Sequence, residues 1–136
     1  MNNRTKSNLR KIARKYDLLL FVYFGSRVKN EETKESDYDF AFYNKEKISE
    51  VIYLQLKKDI YYLLNTSHID LIDLNREDDP VLRYEIFKDG ICIYEKYKGI
   101  FEKVQTDSWF NYIYYKPYLE EQRKFLKKSL QEMNKW

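Results

Sequence analysis

Residues 23–40 read "YFGSRVKNEETKESDYDF", and the fold follows from how this stretch divides. The apolar run "LLLFVYF", 18–24, shows no polar alternation, which is the pattern of a strand buried on both faces. Gly25 ends it. Mostly polar residues fill 27–36, and "YDFAFY", 38–43, then reads as a second strand. Alternate side chains in a strand share a face, so Asp39, Ala41 and Tyr43 belong together, with Asp37 preceding them on the same side. Two carboxylates brought to about 5 Å repel by on the order of 3 kcal/mol at an effective dielectric of about 20. A cation removes that cost. Magnesium typically takes one or two carboxylates and completes its shell with water and substrate phosphate.

Gly25-Ser26 carries a related chemistry. Glycine lets backbone N–H groups approach an anion closely, and a serine hydroxyl can donate to phosphate oxygens. No Gly-Lys-Ser/Thr follows, so this is not a Walker loop. The plain reading of each piece is a turn, a cap and a solvated acid; neither piece is specific alone.

Outward from this centre the chain alternates helices and strands. Leu9, Ile12, Ala13 and Tyr16 recur at helical spacing, with Thr5 or Ser7 as N-cap and Asp17 breaking the pattern. Ile48, Val51, Ile52, Leu56, Ile60, Leu63 and Leu64 predict a helix of several turns over 48–64. "HIDLIDL", 68–74, is a third strand. Asp79-Pro80 starts a short helix, which ends near Asp89-Gly90 with the glycine in a left-handed cap. "ICIYE", 91–95, is a fourth strand, and from Tyr97 the tail is mostly helical with Pro117 interrupting it. Strands separated by helices, plus the close early pair, imply a small mixed sheet with helices packed on it.

A third acid strengthens the chemical reading. Asp70 and Asp73 sit in the otherwise apolar third strand, on opposite faces because three is an odd step. Only one can face Asp37 and Asp39, and periodicity does not choose, since each face carries one aspartate and two aliphatic residues. Two carboxylates from one strand and one from its neighbour suit a two-metal site. Such ions sit about 3.5–4 Å apart and clamp the attacking and leaving oxygens of phosphoryl transfer.

Composition narrows the classes. A chain of 136 residues with 43% hydrophobic residues can bury a core without disulfides or structural metals. Its 25 basic and 22 acidic residues nearly balance, so no direct nucleic-acid binding is expected. Cys92 is the only cysteine, which excludes an internal disulfide and a cysteine-based zinc site. The start, "MNNRTKSNLRK", lacks the apolar region of a signal peptide, and 18–24 is too short to span a bilayer. The expectation is a cytoplasmic protein with no membrane partner.

Together the pieces resemble a known family. Gly25-Ser26, ten residues, and Asp37-Tyr38-Asp39 match the G-S-x10-D-x-D signature of the DNA polymerase beta-like nucleotidyltransferases. The chain most resembles their minimal nucleotidyltransferase group, which includes MntA-type antitoxins paired with HEPN-domain toxins. "FGSR", "SDYDF", "HIDLIDLN", "DPVLRYEIFKDGICIYE" and "NYIYYKPYLE" carry the likeness over nearly the whole chain. It departs in "RVKNEE", 27–32, where many relatives have an Ala-Arg-Gly-like stretch. The resemblance implies a polymerase beta-like α+β fold over 1–136, with a core over about 5–96 and a helical tail over about 97–136. It implies that Gly25 and Ser26 hold a nucleoside triphosphate and that Asp37, Asp39 and Asp70 bind magnesium, two ions, and carry catalysis. Asp70 is favoured over Asp73 on this ground alone. The implied reaction transfers AMP from ATP to a tyrosine hydroxyl of the toxin, releasing pyrophosphate. The rival functions are an antitoxin that only binds and masks its toxin, and a small-molecule nucleotidyltransferase, for which this chain is short.

Other residues carry weaker signals. His68, the only histidine, reads as structural at a strand start, and Cys92 as a small core residue. Arg27, Lys45 and Lys47 have the charge to reach a triphosphate, but a solvated role suits them as well. Trp109, Phe110, Tyr112, Tyr114, Tyr115 and Tyr118 cannot share one helix face, so some are expected at the surface as a partner-binding tail.

Overall fold

The computed structural model describes residues 1–30 and 37–135. Its elements are α1 (Asn3–Lys15), β1 (Leu20–Phe24), β2 (Tyr38–Tyr43), α2 (Glu50–Leu64), β3 (Ile69–Asp73), α3 (Pro80–Asp89), β4 (Ile91–Glu95) and α4 (Ile100–Met133). The strands form one mixed sheet in the order β3-β2-β1-β4. β1 runs antiparallel to β2 and β4, whereas β2 and β3 are parallel. The mixed sheet and the order of elements agree with the sequence expectation.

Alternation within the strands divides the core in two. Phe21, Tyr23, Phe40, Phe42, Leu71 and Ile93 bury one sheet face against Leu9 and Ala13 of α1 and Leu56 and Ile60 of α2. Leu20, Val22, Phe24 and Ala41 bury the other face against Ile86 and Phe87 of α3, with Ile100, Phe101 and Val104 of α4 beside them. β1 is buried along its whole length because both faces are covered, which is why it reads as an unbroken apolar run. Tyr16 and Lys15 at the end of α1 both bond the Asp59 carboxylate, at 2.7 and 2.9 Å, and so tie α1 to α2.

Three local expectations are corrected. The side chain of Asn2, not Thr5 or Ser7, caps α1: it accepts from the Thr5 N–H at 2.8 Å. Gly90 is not left-handed (φ −66°). Its lack of a side chain serves close packing instead, since a Cβ there would lie 2.3 Å from the Ile86 carbonyl and 2.9 Å from Val22 Cγ1. Pro117 does not interrupt the tail, which is a single helix of 34 residues. Proline leaves the Ile113 carbonyl without its helical donor, but both residues are exposed, so water can take its place.

Candidate functional site

The sheet brings the acids to one end. Phe24, the last residue of β1, pairs with Asp39, and Asp39 pairs with Asp70 in the parallel β2–β3 ladder. Adjacent strands lie about 4.8 Å apart, so the two carboxylates project side by side from neighbouring strands. Both lie on the sheet face covered by α3 and α4, the face of Ala41 and Ile72. Asp37 stands two residues before Asp39 on the same side.

Gly25 follows Phe24 with a φ of +91°. A Cβ there would lie 2.0 Å from Asp39 Oδ2, so the glycine backbone runs directly against the carboxylate. The Val28 and Lys29 N–H groups donate back to the Gly25 carbonyl at 3.2 and 3.4 Å, curling the half-buried Gly25-Ser26-Arg27 segment into a turn. A carboxylate and a glycine-bounded turn thus share one small space, with room only because residue 25 has no side chain.

The electrostatics record the crowding. Asp39 is pushed up to about 6, first by burial, then by the charges of Asp70 and Asp37, with Arg27 pulling the other way. The Arg27 guanidinium lies over the Tyr38 ring, 4.0 Å from its centroid. His68 Nδ1 stands 3.7 Å from Asp37 Oδ1 at the rim. Mutually repelling carboxylates, with the proton affinity of Asp39 raised, are a ready binding set for a hard divalent cation. The donors are oxygens, which suit hard cations such as magnesium, calcium or manganese. Among the described residues no three acid, histidine or cysteine side chains close into a ready-made metal cage. Magnesium needs none, because it keeps several waters and takes substrate phosphate as ligand. On this chemistry Asp37, Asp39 and Asp70 fit it.

Of the residues singled out in the sequence, Gly25, Ser26, Asp37, Asp39 and Asp70 come together at this end. Asp73 does not. It lies on the opposite face, only 9% exposed, where it accepts from the Asn75 N–H at 2.9 Å and faces Arg76 Nε at 3.4 Å. Lys45 is six residues beyond Asp39, about 20 Å at the usual strand rise, and lines a cleft at the other end of the sheet with Arg83, Lys96 and Lys103. It is thereby removed from the candidates for the triphosphate. Cys92 is half-buried against the second core cluster, and its thiol is pushed up to about 11, mainly by burial. His68, structural by the sequence expectation, borders the acids. The ladder explains this: two residues back from the pair Asp39 and Asp70 stand Asp37 and His68, and the Tyr38 N–H donates to the His68 carbonyl at 2.8 Å. Most of the polar connection to Asp37, residues 31–36, lies outside the described residues.

Comparisons with known proteins bear on the family and the fold. The family model described as polymerase beta, nucleotidyltransferase matches residues 7–99. A chain of a toxin–antitoxin complex crystallised with AMP-PNP is 20% identical, with a TM-score of 0.71 over 93% of this chain and 98% of its own. A chain from the complex of a tri-AMPylated Shewanella oneidensis HEPN toxin with its MNT antitoxin is 19% identical, with a TM-score of 0.69 over 96% of this chain and 99% of its own. A chain of the MntA–HepT toxin–antitoxin complex is 18% identical, with a TM-score of 0.68 over the same shares. At such identities the likeness is one of fold. No curated protein matches the chain in sequence.

Proposed function

The chain belongs to the polymerase beta nucleotidyltransferase family, and on that premise we propose that it is a cytoplasmic antitoxin that transfers AMP from ATP to a tyrosine hydroxyl of a HEPN-type toxin ribonuclease. The observation that carries this reading is the convergence of Asp39 and Asp70, by register, beside the Gly25 turn. In this assignment the backbone N–H groups around Gly25 and the Ser26 hydroxyl hold the triphosphate. Asp37, Asp39 and Asp70 hold magnesium. Bound there, magnesium would neutralise triphosphate charge and make the acceptor hydroxyl more acidic.

The chain's own residues account for the proton. A free tyrosine hydroxyl has a pKa of about 10, so its attack needs a base. Asp70 is exposed and stands on β3, the edge strand, where a protein acceptor can approach. The tyrosine oxygen attacks the α-phosphorus, its proton passes to Asp70, and the bond to the pyrophosphate oxygen breaks. The product is a tyrosyl-AMP ester and free pyrophosphate. Asp39, packed against Gly25, fixes the carboxylate set relative to the phosphate turn.

The test is intact mass spectrometry of the toxin after incubation with the chain, ATP and magnesium. The expected result is one or more added AMP units, absent with Asp37→Ala/Asp39→Ala. A toxin whose mass never changes, although it is bound and neutralised, overturns transfer and leaves neutralisation by masking. Transfer of AMP to a small hydroxyl compound with no protein present would favour the small-molecule class.

A further inference from the structure

The second half of α4 is a helix without a floor. Upstream the helix is held: Gln105 Nε2 donates to the Phe87 carbonyl at 2.8 Å, and Tyr112 stacks on Tyr84 at 4.0 Å and 9°. Farther along, Tyr115 and Tyr118 of α4 line a cleft with Asp78 and Pro80. From 120 to 135 every residue except Ser129 is exposed. A helix of this length is marginal in water unless it packs on something.

This arm is not polar all round. Leu119, Leu126, Leu130 and Met133 follow at steps of seven, four and three, and so lie within about 60° of arc on one face. Leu126, Leu130 and Met133 are 57%, 58% and 69% exposed. Lys116, Arg123 and Lys127 line one edge of the stripe; Gln122 and Ser129 line the other. Residues 116–135 hold six basic and three acidic side chains, so the whole chain's net charge of +3 resides here and the remainder is balanced.

We propose that this arm is the docking helix for the toxin, received by a toxin helix whose apolar stripe is flanked by acidic residues. The inference rests on the reading that the partner is a HEPN-type toxin. Charge selects that occupant over a second copy of the chain. Two arms packed antiparallel would set their Lys and Arg edges against each other, whereas an acidic edge is attracted. The arm also belongs to the shared fold: the matches to chains of toxin complexes span 96% of this chain, more than a match lacking residues 120–135 could reach. The arm also leaves the body beside Asp78, in the turn after β3, away from the acids at the other end of that strand. Docking and transfer are therefore separable by mutation.

The test uses the full chain and, as probe, the HEPN-type product of the adjacent gene, with affinity measured by calorimetry. Leu126→Asp/Leu130→Asp is expected to weaken the complex at least a hundredfold, and Arg123→Glu/Lys127→Glu at least tenfold with loss of its salt dependence. Both should leave the melting temperature unchanged, because these side chains lie outside the core. Asp37→Ala/Asp39→Ala should bind as tightly as the parent. Unchanged affinity in the leucine variant overturns the proposal. So does a leucine variant that only turns a dimer of this chain into a monomer, and so does the absence of any complex with the parent chain. An arm-dependent complex in which the toxin gains no AMP overturns the proposed transfer and leaves the docking helix standing.

Discussion

The two ends of the sheet handle charge in opposite ways. At the end of β3 away from Gly25, Asp73 is nearly buried but compensated by the Asn75 N–H and Arg76. Nearby, Asn44 and Asn75 exchange hydrogen bonds at 2.8 Å, and Lys96 meets Asp17 at 2.7 Å. At the other end Asp37, Asp39 and Asp70 crowd one another, and Asp39 is raised to about 6 although Arg27 is near. Compensation serves the fold. Crowding works against it, and in the proposed function the three like charges at one point serve binding instead.

Mutations on the two sides should therefore differ in kind. The largest expected effect is on chemistry: Asp37→Ala/Asp39→Ala should slow AMP transfer at least a thousandfold, about 4 kcal/mol of barrier, with the fold intact. Rates within tenfold of the parent would break the comparison. Next comes Gly25→Ala, which combines a φ of +91° with a Cβ 2.0 Å from Asp39 Oδ2. It should cost about 2–3 kcal/mol in urea denaturation, and transfer as well. On β3 itself, Asp73→Ala should cost about 1–2 kcal/mol by stranding the Asn75 N–H, whereas Asp70→Ala should leave stability unchanged or higher. Equal losses from both would erase the distinction between the two ends.

The pH dependence sharpens the same contrast. Because the carboxyl of Asp39 is raised from 3.8 to about 6 in the fold, the folded state holds its proton more tightly than the unfolded state. In metal-free protein this group's contribution is most favourable below about pH 4 and is lost as pH rises through about 6. Asp39→Asn should thus melt a few degrees higher than the parent at pH 7 and no higher at pH 4. Added magnesium should raise the parent's melting temperature at pH 7 and leave the variant's nearly unmoved. The smallest effect is expected for His68→Ala, whose contact with Asp37 is exposed on both sides and should change stability by less than about 0.5 kcal/mol.

Most elements were legible because their signals are local. The unbroken apolar run marked β1, Asp79-Pro80 marked the start of α3, and helical spacing marked α1 and α2. The errors came where a local rule met a nonlocal circumstance. Gly90 after a short helix suggests a left-handed cap, but Val22 on β1 and the Ile86 carbonyl require its missing side chain. Pro117 by the local rule interrupts a helix, but exposure lets the helix run through. For His68, nothing in its own sequence neighbourhood says that Asp37 lies across the ladder.

By itself the sequence determined the elements, the glycine turn and the spacing of Asp37 and Asp39, because each depends on residues close along the chain. It could not choose between Asp70 and Asp73, since two faces of one strand look alike until a neighbour is paired with it. The parallel register of β2 and β3, set by cores on both sides of the sheet, made that choice by placing Asp70 beside Asp39 and turning Asp73 toward Arg76.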